Sequence, residues 1–202
     1  MHDDVVLKAV SALRNGGVVL HPTETCYGLA ADIRSEKAIE RVYSLKDMPE
    51  SKPVSIMVSS LDEARKYGDF SEKALQLAEK YWPGPLTIIV PRKELLPAHI
   101  NRGVTTVGIR YPDHEITQQI LTGFGGPLIT TSANRTSEPQ AYDVETFLLG
   151  RDADGIHGEA VPDAIIDMGQ IPEIEPSTIV EVMGDEVKMI RKGPIALSEF
   201  LH

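Results

Sequence analysis

The sequence predicts an α/β domain in which helices flank a mixed sheet. Segments with helical and strand periodicity alternate along the chain, and the last strand patterns follow one another closely. The chain has 202 residues and is 42% hydrophobic, which is the composition of an ordinary folded protein. Because a single hydrophobic core can still grow to this length, residues 1–202 are expected to form one domain.

The first half of the chain begins with a helical pattern. Apolar residues recur at helical spacing over 4–14, and Asn15-Gly16-Gly17 ends this helix. Ser35 is a good N-cap for a second helix that reaches Leu45. The patterns in the rest of this half predict strands at 18–20, 54–58 and 86–90 and a further helix at 71–81.

The second half predicts more strands than helices. The strands are expected at 105–110, 127–131, 164–167, 178–182 and 187–190, and the helices at 115–121 and 144–149. The last two strands are close enough to form an antiparallel hairpin across Met183-Gly184-Asp185, which makes the sheet mixed. The stretch from Asp154 to Pro176 is rich in Gly, Pro and acids and is interpreted as a surface loop.

Charge, cysteine content and the absence of long apolar runs argue against a polyanion-binding, exported or membrane protein. The formal charge of -10 disfavours indiscriminate binding of polyanions, although a local basic pocket is compatible with it. The acidic amino terminus does not resemble an export signal, no apolar run is long enough to cross a bilayer, and the single cysteine can form no internal disulfide. A cytoplasmic protein without membrane association is therefore expected.

Common catalytic signatures are missing from the sequence. It contains neither a GxxxxGK[ST] phosphate loop nor a GxGxxG motif, so a nucleotide would be bound in another way. The six histidines are scattered, and no HExxH or Cys/His spacing could close a metal shell, so no protein-built metal site is predicted. Cys26 is interpreted as a small core residue rather than a nucleophile.

Short polar clusters lie next to the predicted strands. They occupy residues 21–29, 45–53, 105–112 and 129–134, and a last pair joins 177–178 with 191–193. Each alone fits a turn or a solvated helix end equally well. Because open α/β sheets bind ligands beyond the carboxyl ends of their strands, the clusters together predict a site for a small zwitterion beside a nucleotide phosphate chain. The Trp- and Pro-rich cluster at 82–87 is expected to be mainly structural.

Seven segments carry a family resemblance. They are PTETCYGL (22–29), the lysine-containing stretch before KPVSIMV (52–58), WPGPLT (82–87), TTVGIRYP (105–112), TTSAN (130–134), STIV (177–180) and RKG (191–193). In this order they resemble the YrdC-like family of threonylcarbamoyl-AMP synthases, over about residues 17 to 195. The resemblance implies a YrdC/RibB-like fold, an open twisted mixed sheet with flanking helices and a large concave cavity.

The resemblance also implies a reaction and its site residues. L-Threonine, bicarbonate or CO2, and ATP would give L-threonylcarbamoyl-adenylate and pyrophosphate, and partner proteins would use this product to modify adenosine beside the anticodon of certain tRNAs. Carried over by position, threonine would be held by Thr25, Arg110, Thr130 and Ser177. ATP would be held by Lys46, Lys52, Thr106, Ser132, Asn134 and Arg191. Lys46 and Arg110 would be the catalytic residues.

This reaction needs no nucleophile from the protein. The amine of threonine captures CO2, and the resulting carbamate attacks the α-phosphate in line, so the protein mainly aligns two anions and offsets their charge. Mg²⁺ is expected on the phosphates, held largely by ATP and water.

One position departs from the family pattern. The family usually has Lys-x-Arg in the second cluster, whereas this sequence has Lys46-Asp47-Met48, so a neutral thioether replaces a cation. The chain also ends soon after Arg191 and is expected to be the short form without an additional carboxyl-terminal domain.

Two alternatives to an active synthase remain open from the sequence. One is a YrdC-like paralogue with weak or no synthase activity that binds double-stranded or structured RNA, which the acidic composition disfavours. The other is the related domain that handles carbamoyl-adenylate in hydrogenase maturation. The absence of its companion zinc-finger and transferase domains from this sequence argues against it.

Overall fold

A single mixed sheet organises the described part of the chain, residues 2–152 and 161–197 of a computed structural model. Its nine strands are β1 (Val19–His21), β2 (Gly28–Asp32), β3 (Ser55–Met57), β4 (Leu86–Pro91), β5 (Thr106–Arg110), β6 (Leu128–Ser132), β7 (Ala164–Ile165), β8 (Thr178–Met183) and β9 (Glu186–Arg191). Their order across the sheet is β7-β1-β2-β6-β3-β5-β4-β8-β9. The predicted α/β fold with a mixed sheet is confirmed, and β8 and β9 form the predicted antiparallel hairpin.

Six helices flank the sheet in the described residues. They are α1 (His2–Arg14), α2 (Glu36–Leu45), α3 (Leu61–Tyr67), α4 (Glu72–Tyr81), α5 (Glu115–Phe124) and α6 (Val144–Asp152). The side chains of Ser35, Ser60 and Ser71 cap α2, α3 and α4 by accepting hydrogen bonds from backbone N–H groups of the first turn. No helix in these two stretches is long and apolar enough to span a bilayer.

Each face of the sheet packs against its own helices. On one face, strand residues such as Leu29, Ile56 and Ile109 join the side chains of α2, α3 and α4 in the larger core. On the other face, Met57 and Leu128 join α1 and α5 in a smaller core. Because α1 and α5 cover only part of this second face, the rest of it is left for polar side chains.

Two elements differ from the sequence prediction. Strand β2 begins in the last two residues of the motif interpreted as a turn, and its sequence Gly-Leu-Ala-Ala-Asp has no β-branched residue to signal a strand. Helix α3 has seven residues and buries only Ala64, so its periodicity is too short to detect. The strand predicted at 164–167, within the loop expected from Asp154 to Pro176, is present as the shorter β7, and residues 154–160 of that loop lie outside the described ones.

The carboxyl-terminal turn after β9 packs directly against the start of β8. A Cβ atom at Gly193 would lie 2.3 Å from the carbonyl oxygen of Pro176 and 2.5 Å from the backbone nitrogen of Thr178. Both atoms belong to the backbone, so a side chain at this position could be accommodated only by moving the chain.

Gly193→Ala is therefore expected to destabilise the protein by roughly 1–3 kcal/mol, the usual penalty of overpacking. Urea unfolding of both proteins would measure the change in midpoint. Gly103→Ala is a comparison variant whose Cβ meets no atom within 4 Å, although its positive φ adds backbone strain. Equal stability of Gly193→Ala and the parent protein would contradict the close approach.

Candidate functional site

A polar cavity of about 250 Å³ occupies the part of the second sheet face that α1 and α5 leave uncovered. Register explains its position: Thr87 of β4 and Met57 of β3 both pair with Arg110, and Ser55 pairs with Thr130 of β6. Paired residues point to the same face, so polar side chains stand beside the apolar row that the helices bury. The described lining residues contribute hydroxyls, an amide, lysines and arginines, and none of them carries a carboxylate.

Arg110 is one of the buried cations of this cavity. It ends β5 and is 8% exposed. Its Nη2 donates to Thr25 Oγ1 at 3.1 Å and forms an ion pair with Glu24 Oε1 at 2.8 Å. Its Nε is buried without a hydrogen-bond partner among the described residues.

The turn between β1 and β2 orients Thr25 toward Arg110. Thr23 Oγ1 donates to the carbonyl of Cys26 at 2.7 Å and accepts from the backbone N–H groups of Thr25 and Cys26, each at 3.2 Å. It also lies 3.1 Å from Thr25 Oγ1. The Thr23 hydroxyl thus accepts hydrogen bonds from two N–H groups of the turn. Both Thr23 and Thr25 line the cavity.

The last hairpin contributes a second arginine. Arg191 donates from Nε and Nη2 to the carbonyl oxygen of Ser177, at 3.0 and 2.8 Å, and from Nη2 to Ser177 Oγ at 3.0 Å. Ser177 Oγ lies 3.0 Å from Thr87 Oγ1, so these three side chains form one chain of hydrogen bonds along the cavity wall. Burial lowers the pKa of Arg191, and the nearby Arg110 lowers it further.

Lys46 follows α2 and connects it to the segment after β6. The ammonium group, in a residue only 3% exposed, donates to the Ser132 carbonyl, to the Asn134 carbonyl at 2.7 Å and to Asn134 Oδ1 at 3.1 Å. Ser132 Oγ also donates to Asn134 Oδ1. Because an ammonium group has three N–H donors, a ligand phosphate could gain a hydrogen bond from Lys46 only by taking the place of one of these acceptors.

Burial also shifts the pKa values of Cys26 and His21 in this region. Burial raises the pKa of the Cys26 thiol, although Arg110, Thr25, Arg191 and Lys46 all act in the opposite direction. The thiol therefore remains protonated at neutral pH, in agreement with its interpretation as a small buried residue rather than a nucleophile. Under α5, burial lowers the pKa of His21 to about 4, so this imidazole is neutral.

The structure brings nine of the ten predicted site residues together around the cavity. They are Thr25, Lys46, Lys52, Arg110, Thr130, Ser132, Asn134, Ser177 and Arg191. Thr106 is the exception: it is not among the lining residues and lies at the opposite end of β5 from Arg110, roughly 13 Å away along an extended strand. The sequence placed both residues in one cluster, but three residues of the strand lie between them.

Other lining residues were not predicted. Thr87 belongs to the cluster at 82–87 that was interpreted as mainly structural. That interpretation fits Trp82, which packs against Phe70 and donates to the Leu86 carbonyl. Thr87 instead faces the cavity, as does Ser55 of β3. Alternation within the two strands could have identified both, because each is a polar residue between apolar neighbours.

Met48, which departs from the family pattern, and its neighbour Asp47 have different surroundings. Met48 is 7% exposed and lines the cavity. Asp47 is not among the lining residues: its side chain is 68% exposed, and Oδ2 lies 3.3 Å from Arg135 Nε. The thioether thus faces the ligand space, whereas the added carboxylate is directed to a surface ion pair.

A family model and curated relatives match this chain over most of its length. The family model Sua5/YciO/YrdC, described as telomere recombination, matches residues 11–193. A threonylcarbamoyl-AMP synthase of Pyrococcus abyssi is 31% identical over 192 residues, covering 95% of this chain and 54% of the relative, so the chain spans about half of that protein. A relative from Methanocaldococcus jannaschii is 34% identical over 187 residues, with 92% of this chain and 84% of the relative covered.

Two solved structures share the architecture over nearly the whole chain. The crystal structure of P. abyssi Sua5 complexed with L-threonine has a TM-score of 0.86 at 30% identity and covers 98% of this chain and 56% of that one. The crystal structure of Escherichia coli YciO has a TM-score of 0.86 at 25% identity and covers 100% of this chain and 94% of the other.

Proposed function

Because the chain belongs to the Sua5/YciO/YrdC family, we propose that it is an L-threonylcarbamoyladenylate synthase acting as a single domain over residues 1–202. The enzyme forms threonylcarbamoyl-AMP and pyrophosphate from L-threonine, bicarbonate or CO2, and ATP. Downstream proteins use the product to modify tRNA.

One observation carries this proposal: four cations surround a cavity whose described lining has no carboxylate. Lys46, Arg110 and Arg191 all act on the Cys26 thiol, which places their charges close together, and Lys52 lies at the same rim. Lys46 and Arg110 are buried, and the exposed Lys52 and Arg191 add like charge beside them. Glu24 offsets the charge of Arg110, and holding the remaining like charges around one cavity is costly unless a bound anion compensates them. A nucleotide triphosphate and an amino-acid carboxylate supply that negative charge.

We assign the two substrates to different parts of the cavity. Arg110 and Thr25 bind the threonine carboxylate, and Thr130 and Ser177 contact the rest of the amino acid. Lys46, Ser132, Asn134, Arg191 and Lys52 bind the nucleotide and its phosphates. Because Ser177 is hydrogen-bonded to Arg191, the two substrates meet there.

The residues accelerate the reaction by positioning and electrostatics. The threonine amine attacks CO2 and loses a proton to give the carbamate, whose oxygen attacks the α-phosphorus of ATP as pyrophosphate leaves. The cations offset the negative charge that accumulates as the two anions approach. Magnesium enters with ATP as part of the substrate, since the described lining residues offer it hydroxyl and amide oxygens but no carboxylate.

The proposal is tested by incubating purified protein with MgATP, radiolabelled L-threonine and bicarbonate. The expected result is pyrophosphate release that requires threonine, together with a labelled threonyl adduct of AMP. Pyrophosphate release that is independent of threonine, or none at all, would overturn the assignment.

Met48→Arg is expected to improve catalysis, because it restores a cation at a position that lines the cavity. A charge-assisted contact with a phosphate contributes about 1.5–3 kcal/mol, so kcat/KM for ATP should rise roughly tenfold to a hundredfold. Met183→Arg adds the same charge at an exposed position and is the control. Unchanged ATP kinetics in Met48→Arg would indicate that another residue already performs this role.

A further inference from the structure

We infer that Glu24 is a positioning residue that orients the Arg110 guanidinium for the threonine carboxylate. The inference rests on the proposed function and extends it to a residue that does not line the cavity. Its basis is the arrangement of Glu24, Thr25 and Arg110.

Glu24 approaches Arg110 from the side away from the ligand space. Its neighbours Thr23 and Thr25 line the cavity, whereas Glu24 is not among the lining residues. The Glu24 side chain is 16% exposed, and its carboxylate lies close enough to His114 to raise the pKa of that imidazole, against the lowering effect of burial. The carboxylate therefore stands behind the guanidinium and leaves the substrate side open.

Two consecutive residues hold the same nitrogen of Arg110. Nη2 meets Glu24 Oε1 at 2.8 Å and Thr25 Oγ1 at 3.1 Å. The hydrogen bond to Thr25 is directional, and the charge of Glu24 beside the same nitrogen favours this one orientation of the planar guanidinium. Nε is buried and has no described hydrogen-bond partner, so the orientation of the group depends on the contacts of Nη2.

The ion pair between Glu24 and Arg110 is largely shielded from water, which strengthens the electrostatic interaction between its two charges. Arg110 is 8% exposed, so its charge has lost most of its water. Neither oxygen of Glu24 has a hydrogen-bond partner among the described residues, so Arg110 is the only ion-pair partner that these residues give it. A buried carboxylate with so few partners is costly for stability alone, which is typical of a group retained for function.

Glu24→Gln tests the role, because it removes the charge and keeps the size. We expect KM for threonine to rise at least tenfold while KM for ATP changes less than twofold. Glu24→Asp retains the charge but moves it away from Arg110 by one methylene, so its threonine KM should fall between those of the wild type and Glu24→Gln. Glu115→Gln is the matched control: Glu115 is exposed and also acts on His114, so it should leave both constants unchanged.

A double variant separates orientation from a general loss of charge. In an Arg110→Lys background, Glu24→Gln should raise the threonine KM no further, because an ammonium group has no plane to orient. Three results would overturn the inference: equal increases in both constants, an unchanged threonine KM, or the same increase when Glu24→Gln is combined with Arg110→Lys.

Isothermal titration of threonine makes the same comparison without turnover. If the wild type binds threonine but releases no pyrophosphate, the synthase assignment fails while the Glu24 comparison is still decided by the binding constants. A wild type that neither binds nor turns over threonine would overturn both proposals.

Discussion

Replacing Arg110 by alanine is expected to reduce kcat/KM for threonine by roughly a hundredfold to a thousandfold. Arg110 is buried in the cavity wall and binds the threonine carboxylate in the proposed complex. Removing one partner of a buried, hydrogen-bonded charge pair costs about 2–5 kcal/mol, and each 1.36 kcal/mol is a factor of ten in rate. Steady-state pyrophosphate release at varied threonine concentrations measures the effect.

Two variants make the Arg110 result interpretable. Arg110→Lys keeps the charge but loses the planar fork and should recover only part of the activity. Arg102→Ala removes an exposed arginine that pairs with Glu36, and since neither residue lines the cavity it should behave like the wild type. A loss in Arg110→Ala confined to the ATP constants would show that the two ends of the cavity have been assigned the wrong way round.

Replacing Lys46 by methionine is expected to weaken ATP binding by roughly a hundredfold. The substitution removes a cation from the phosphate end and also the donor that binds the Ser132 and Asn134 carbonyls and Asn134 Oδ1. Acceptors left without a donor each lose about 1–3 kcal/mol, so the segment that carries Ser132 and Asn134 should loosen as well. The expected signature is a large increase in KM for ATP together with a lower urea midpoint.

Lys37→Met is the control for this prediction. Lys37 is exposed on the same helix, α2, and loses the same charge without any contact to the cavity lining. It should leave the ATP constant and the midpoint unchanged. If Lys46→Met lowered stability but left ATP binding intact, Lys46 would be a structural residue and the phosphate role would move to Lys52 and Arg191.

The polar segments of the sequence were sufficient to predict most of the candidate site. Arg110 and Ser177 were found because each stands at the end of a strand pattern in a recognisable motif. Thr106 was assigned to the site because it shares a sequence motif with Arg110. In the extended strand the two residues stand at opposite ends, and Thr106 does not line the cavity. Glu24 was not selected, because nothing in its motif distinguishes a carboxylate that faces the ligand from one that stands behind an arginine.

The sequence by itself determined the α/β class, the order of most helices and strands, and the family, because these depend on local periodicity and on motifs in a fixed order. The tertiary structure alone decided which hydroxyls share the cavity with Arg110 and what Lys46 and Arg191 bind. These features depend on register across the sheet and on the partial cover by α1 and α5. Both arise from contacts between residues far apart in the chain, which local patterns do not encode.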